Sequence, residues 1–254
     1  MKQNLLRYFS IGILILILIN SCGRHKLKPT ASADERIAYA EKLFKNGDYL
    51  DARTEFRIII LNFPGSTTSD RAQLRLADCH FNLKEYIIAA EEYKKLVRVF
   101  PNSEYVDDAQ YKIALSLFKL SPKYSLDQDY TNKAIEEFQK FLDDFPKSDL
   151  APEVNKNMKL CREKLGKKYY RNAESYRKLN WYKSAIVYYD FVLDNYYDTE
   201  FAELSLYGKA ECLQNLADIE QAVKFYQLYL EKYPNSTKAR KARTQLEKIL
   251  DENK

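Results

Sequence analysis

The sequence predicts an all-α solenoid, five stacked helix pairs closed by one further helix, and three observations predict it. Ala40, Ala77, Ala114, Ala173 and Ala210 recur at spacings of 37, 37, 59 and 37 residues. A second series, Ala52, Ala89, Ala134, Ala185 and Ala222, follows 12 residues behind the first in four copies and 20 behind it in the third. The phrase "NFPGSTTSDRA" (62–72) returns as "VFPNSEYVDDA" (99–109), "DFPKSDLAPEV" (144–154) and "KYPNSTKARKA" (232–242), with a degenerate copy, "NYYDTEFAELS", at 195–205. Composition agrees. A hydrophobic content of 46% is enough for a sizeable core, while six glycines and seven prolines are too few for a many-turned β-sandwich.

The chain begins with a segment unlike the rest. Lys2 and Arg7 precede a short apolar run, "IGILILILI" (11–19), and "NSC" (20–22) follows at once. The run is too short to cross a bilayer comfortably and reads as a signal peptide over residues 1–21. Ending in Ile19-Asn20-Ser21-Cys22, it resembles a bacterial lipoprotein signal, which implies a diacylated or triacylated Cys22 as the mature N-terminus. Two or three acyl chains hold a protein firmly to a membrane. The alternative is an ordinary secretory signal in which the cysteine falls by chance. Residues 22–34 then form a flexible tether.

The repeats start at residue 35. Two small residues 12 apart, on segments of helical period broken by a turn ("KNGDY", "NLKEY", "KLNWY"), let two antiparallel helices approach closely. Four residues after each second alanine stands an aromatic, Phe56, Tyr93, Phe138, Tyr189 and Tyr226, on the same helix face. The recurring "FP-x-S" phrase ends each second helix, because proline cannot continue it. Ser66, Ser103, Ser148, Thr199 and Ser236 are expected to N-cap the next helix. A period near 37 with this grammar resembles the tetratricopeptide repeat, of roughly 34 residues.

Two departures from regularity are informative. Repeat three carries eight extra residues between its helices, around "SPKYSLDQDYT" (121–131). Fourteen more separate repeats three and four, and the stretch 148–170 reads as a lengthened helix with Gly166 near its middle or at a kink. The array therefore divides into an N-terminal block, 35–148, with repeats one to three, and a C-terminal block, 149–254, with the long helix and repeats four and five. Residues 238–251 form a polar-faced capping helix, which a solenoid needs to close its core.

Charge and motif content exclude much. The net charge of +5 falls to +3 without Lys2 and Arg7, and acids and bases alternate along the helices, so nucleic acid is not an expected ligand. Cys79, Cys161 and Cys212 are odd in number and lack a C-x-x-C, the mark of residues packed between helices. No nucleophile elbow, zinc-protease motif or phosphate loop occurs, and Asp127 and Asp129 alone fall short of a calcium loop. No catalytic residue, metal or cofactor is expected. Four residues beyond the first alanines stand Phe44, Phe81 and Phe118, with Leu74 and Tyr111 on the same expected face. These five form a candidate peptide-binding strip if exposed, and part of the core between repeats if not. The second block places Tyr170, Glu174, Arg177 and Lys178 at corresponding positions, a more polar surface suited to a folded partner.

The lipoprotein signal, the tether, five repeats, the interrupted third repeat and the long central helix together resemble the BamD family of outer-membrane β-barrel assembly lipoproteins. The likeness is strongest at "LSPKYSLDQDYTNKAIEEFQKFLDDFPKS" (120–148) and extends to "NWYKSAIVYYDFVLDNYYDT" (180–199), where Tyr197 replaces the expected proline. That resemblance implies a protein lipid-anchored on the periplasmic face of the outer membrane. It implies a C-terminal block that holds the POTRA region of a BamA-like β-barrel protein, and an N-terminal block that recognises unfolded outer-membrane proteins by an aromatic-ended C-terminal strand. "GRHK" after Cys22 carries no acid, which is consistent with transport to the outer membrane. The alternative function is an envelope repeat lipoprotein that scaffolds cell-wall or cell-division proteins.

Overall fold

All ten repeat alanines and all five aromatics that follow the second series have no measurable solvent exposure. Each contact between neighbouring helices is therefore built from a small side chain that permits close approach and a ring that fills the space beside it. A fully buried aromatic contributes roughly 1.5–3 kcal/mol through the surface it removes from water. The structure, a computed structural model, describes residues 28–252. Residues 1–27, with the expected signal peptide and Cys22, lie outside the described residues.

Among those residues eleven helices occur and no strand. They are α1 (Ala33–Lys45), α2 (Tyr49–Asn62), α3 (Ser69–Asn82), α4 (Tyr86–Val99), α5 (Val106–Leu120), α6 (Asp129–Asp144), α7 (Ala151–Lys178), α8 (Tyr182–Asn195), α9 (Glu200–Asn215), α10 (Ile219–Lys232) and α11 (Ala239–Glu252). Each packs on the next in chain order. Helices α1 to α10 pair as five repeats, and α11 covers the last. First helices also touch one another, α5 on α7 and α7 on α9, whereas no pair of second helices is in comparable contact. The first helices therefore line the inner side of the curve. A capping box starts the array: Ser32 Oγ accepts from the Glu35 N–H at 3.2 Å, and the Ser32 N–H donates to the Glu35 carboxylate at 2.9 Å.

The turn inside a repeat has one geometry. Gly47, Lys84, Asn180 and Ala217 all take positive φ, of 81°, 63°, 59° and 59°. The following N–H reaches back five residues in each copy, Asp48 to Leu43, Glu85 to His80, Trp181 to Tyr176 and Asp218 to Leu213. This is the Schellman closure, which wants glycine at the left-handed position. Only the first copy supplies it.

The "FP-x-S" joint between repeats is equally regular. The N–H groups of Ser66, Ser103, Ser148, Thr199 and Ser236 donate to the carbonyls of Phe63, Phe100, Phe145, Tyr196 and Tyr233 at 3.0–3.2 Å. The degenerate copy keeps this turn despite Tyr197. The hydroxyls, however, do not act as the expected N-caps. The helices start later, at caps such as Thr68, Tyr105 and Leu150, and only Thr199 occupies a cap position, without a capping bond. Ser103 and Ser148 instead donate to Asp70 at 2.6 Å and Asp107 at 2.9 Å, and Ser236 donates to Glu203. Each of these acids lies in the first turn of the preceding repeat's first helix, so the hydroxyl ties one repeat to the next. At the fourth joint the corresponding residue, seven before the repeat alanine, is Gly166, which offers Thr199 no acid, and Arg162 secures the joint through Asp198 at 2.6 Å and the Asn195 carbonyl at 2.8 Å.

The long helix is shared. Val154 and Cys161 belong to the apolar cluster of the first block, and Ala173 to a cluster of the second. Gly166 lies near the middle of an unbroken α7, where an added Cβ would sit 3.0 Å from Thr199 Oγ1 and 3.3 Å from Tyr196 Cβ. Close helix approach explains this glycine.

Candidate functional site

The inner face is a ladder of acids and cations. The residue after the first alanine is acidic in four repeats, Glu41, Asp78, Glu174 and Glu211. Glu41 accepts from Arg71 at 3.0 Å and Arg75 at 3.1 Å, both in the next repeat. Asp78 accepts from Arg75 at 2.9 Å, Lys112 at 2.7 Å and the Tyr93 hydroxyl at 2.6 Å. Burial, with Asp78 beside it, pushes the Tyr93 phenol far above its ordinary range. In the second block Glu174 accepts from Arg177 and from the Tyr189 hydroxyl, while Glu211 lies 3.8 Å from Arg177. Burial opposes the charged form of Glu174, but the Arg177 and Tyr189 hydrogen bonds hold its carboxyl below the usual range.

The candidate strip separates into two groups. Leu74 and Tyr111, expected on the groove, are buried, with 5% and 6% exposure, in the apolar cluster of repeats two and three. Both sit three residues before a repeat alanine and follow that alanine into the core. Phe44, Phe81 and Phe118 are half-buried. Phe44 meets Tyr49 edge-on at 5.2 Å and Phe81 meets Tyr86 in the same way at 5.2 Å, across the turn inside each repeat. Phe118 packs on Phe138 at 6.4 Å. Cations cover two of the rings, Arg75 over Phe44 at 5.2 Å and Lys164 over Phe118 at 5.7 Å.

Among the second-block candidates, Tyr170 packs against Tyr189 and Phe201 at 6.2 and 5.7 Å, Glu174 and Arg177 form the inner ion pair, and Lys178 is exposed at the end of α7. Sequence reasoning missed a larger feature beside them. Tyr176 stacks on Trp181 at 5.9 Å and on Tyr188 at 5.2 Å, and Tyr169 packs on Phe191 at 4.3 Å and Tyr196 at 5.8 Å. Arg162 lies over Tyr196 and Tyr197. Trp181, Val187, Phe191 and Tyr197 are exposed. The seven-residue spacing of Arg162, Tyr169 and Tyr176 on one face of α7 is the signal that could have revealed it.

The cysteines carry no reactive character. Cys79, Cys161 and Cys212 are buried, and burial pushes each thiol up to about 12. Among the described residues no group of three or more histidines, cysteines or acids could hold a metal ion. The clefts of about 360 and 370 Å³ lie between successive second helices, α8 and α10, and α4 and α6. In the first of these, Lys209 is engaged by Asp190 at 2.6 Å and the Phe225 ring at 3.9 Å.

Paired helices with a first-helix inner face define the class: a tetratricopeptide-type α-solenoid. The chain belongs to the family whose model matches residues 31–228, YfiO, an outer membrane lipoprotein family, which is the BamD family. A solved structure shares the fold. The TPR2AB domain of yeast Sti1, in complex with pHSP90, is 16% identical with a TM-score of 0.50, over 87% of this chain and 84% of that one. TTC0263, a thermophilic TPR protein of Thermus thermophilus, is 17% identical with a TM-score of 0.39, over 86% and 99%. Among curated protein sequences none matches. No helix among the described residues is long and apolar enough to cross a membrane.

Proposed function

We propose that this protein is the lipid-anchored adaptor of an outer-membrane β-barrel assembly machine, working on the periplasmic face and binding other chains without transforming them. Its second block holds the POTRA region of a BamA-like β-barrel protein, and its first block receives unfolded outer-membrane clients. The observation that carries the reading is the exposed aromatic ladder on α7 and α8. Tryptophan, tyrosine and arginine are the residues that dominate interface energetics, and here they stand stacked and ready for contact. The family's outer-membrane lipoprotein character supports the location. Phe44, Phe81 and Phe118 offer half-exposed ring edges to an aromatic-ended strand, and Tyr170, Glu174, Arg177 and Lys178 flank the ladder on the inner side.

Pull-down from detergent-solubilised membranes tests the reading. A POTRA-containing β-barrel is expected with the wild type and is lost with Trp181→Ala combined with Tyr188→Ala. Phe44→Ala with Phe81→Ala is expected to keep that partner while weakening an aromatic-ended peptide. Recovery of cell-wall enzymes alone would replace this reading with the scaffold alternative.

A further inference from the structure

The middle of α7 is the most basic stretch of the chain. Lys156, Lys159, Arg162, Lys164, Lys167, Lys168 and Arg171 fall within sixteen residues that contain one acid, Glu163. Arg162 is engaged by Asp198. Among the described residues the other six have no carboxylate within ion-pairing distance, in contrast to the compensated ladder on either side. The cations that touch protein do so through neutral groups. Lys164 Nζ donates to the Ser121 hydroxyl at 2.5 Å, Lys168 Nζ donates to the Leu126 carbonyl at 2.7 Å, and Lys167 Nζ lies 5.0 Å from the Tyr124 ring centre. Burial with no acid nearby holds the Lys164 ammonium below its usual range.

Lys156, Lys164, Lys167 and Arg171 lie at i, i+8, i+11 and i+15, one stripe of the helix. Lys168 adjoins it. The stripe faces the inner side, since Lys164 reaches the end of α5 and Glu153, on the same stripe, accepts from the Tyr111 hydroxyl at 2.7 Å. Other neighbouring acids are occupied: Asp127 takes the Asp129 N–H at 2.9 Å, and Glu174 takes Arg177.

We propose that this stripe, with the repeat-three insertion as one wall, binds an extended acidic segment of a partner polypeptide. Charge complementarity selects the occupant. Lys164, Lys167 and Arg171 follow one another at about a helical turn, about 5 Å along the axis, and Lys156 lies about two turns before Lys164. Alternate side chains of an extended peptide stand about 6.6 Å apart, within the reach of flexible lysines, so alternate carboxylates meet successive cations. An inward-curved face admits a single chain more readily than a flat bilayer. The inference rests on the chain-holding reading of the solenoid and adds a ligand class to it.

Fluorescence anisotropy with the full chain and labelled deca-glutamate tests it, beside vesicles of phosphatidylglycerol and of phosphatidylcholine. Binding is expected for deca-glutamate, weakening with added salt. K167Q combined with R171Q, which leaves the Lys164 and Lys168 hydrogen bonds to the insertion in place, is expected to weaken it by about fivefold or more. K241Q combined with R243Q, at the far end on α11, is expected to leave it unchanged. Wild-type affinity in the K167Q/R171Q variant, equal loss in the α11 variant, or use of the stripe by phosphatidylglycerol vesicles but not by the peptide would each overturn the proposal. The β-barrel pull-down is a separate readout. Its failure alongside intact peptide binding would remove the assembly reading and leave this one standing.

Discussion

Gly208 sits inside α9, where an alanine would ordinarily stabilise a helix by about 1 kcal/mol. We expect the opposite for Gly208→Ala. An added Cβ would lie 2.5 Å from Tyr189 Cζ, 2.6 Å from its hydroxyl and 2.9 Å from Cε1. Tyr189 cannot step aside cheaply. It has no solvent exposure, packs on Tyr170, and donates its hydroxyl to Glu174, which Arg177 also holds. Overpacking a tight site costs about 1–3 kcal/mol, and disturbing a hydrogen bond to a charged group about 1.5–3 kcal/mol. Set against the helix gain, the net loss is about 1.5–5 kcal/mol.

Urea unfolding followed by circular dichroism measures the total. Hydrogen exchange localises it, because a solenoid opens repeat by repeat, and a loss of about 2 kcal/mol speeds exchange through local opening by about thirtyfold. Faster exchange is expected in α8 and α9, with α1 to α4 unaffected. Tyr189→Leu should couple favourably with Gly208→Ala, the double variant losing less than the sum of the two. A Gly208→Ala protein as stable as the wild type, or more so, would refute the packing argument outright.

Ala217 holds a left-handed φ of 59° in the turn before α10, so Ala217→Gly should raise stability by about 0.5–1 kcal/mol, read as a higher urea midpoint. Ser103→Ala removes the tie to Asp70 and should cost about 1 kcal/mol, whereas Ser66→Ala, whose hydroxyl meets only Thr68 and Ser69, should cost less. Glu174 governs part of the acid limb. Its folded pKa is depressed, so its stabilisation is fully present above the ordinary value of 4.5 and disappears as pH falls through the lower folded value. Melting curves of Glu174→Gln against pH should show a lower plateau at neutral pH and a shallower decline in acid.

What could be read from the sequence was what repeats. The ten alanines, the five aromatics and the five joints each recur with a fixed local job, so their burial and turn geometry follow from spacing alone. Partners across repeats were not legible. Ser103 and Asp70 are 33 residues apart, and only the stacking brings them together. The same limit misplaced Leu74 and Tyr111. Their helix and face were read correctly, but the side of that face turned to the groove depends on the angle at which the next repeat packs.

The two irregularities of the array prove to be one feature. Three residues join the helices of repeats one, two, four and five, while Ser121–Gln128 joins those of repeat three. A loop of that length has few backbone partners of its own. Gln128 secures it from within, donating to the carbonyls of Lys123 at 2.8 Å and Leu126 at 3.0 Å. From outside, Lys164 and Lys168 of α7 donate to Ser121 and Leu126. Those lysines lie in the region of the fourteen residues that make α7 longer than any other helix. An array without the extension would lack the arms that hold the insertion, and one without the insertion would leave a basic helix bare. The extension thus couples the blocks twice, through the Val154, Cys161 and Ala173 contacts on its apolar sides and through the loop on its charged side. A ligand drawn to the basic stripe would touch both blocks at once.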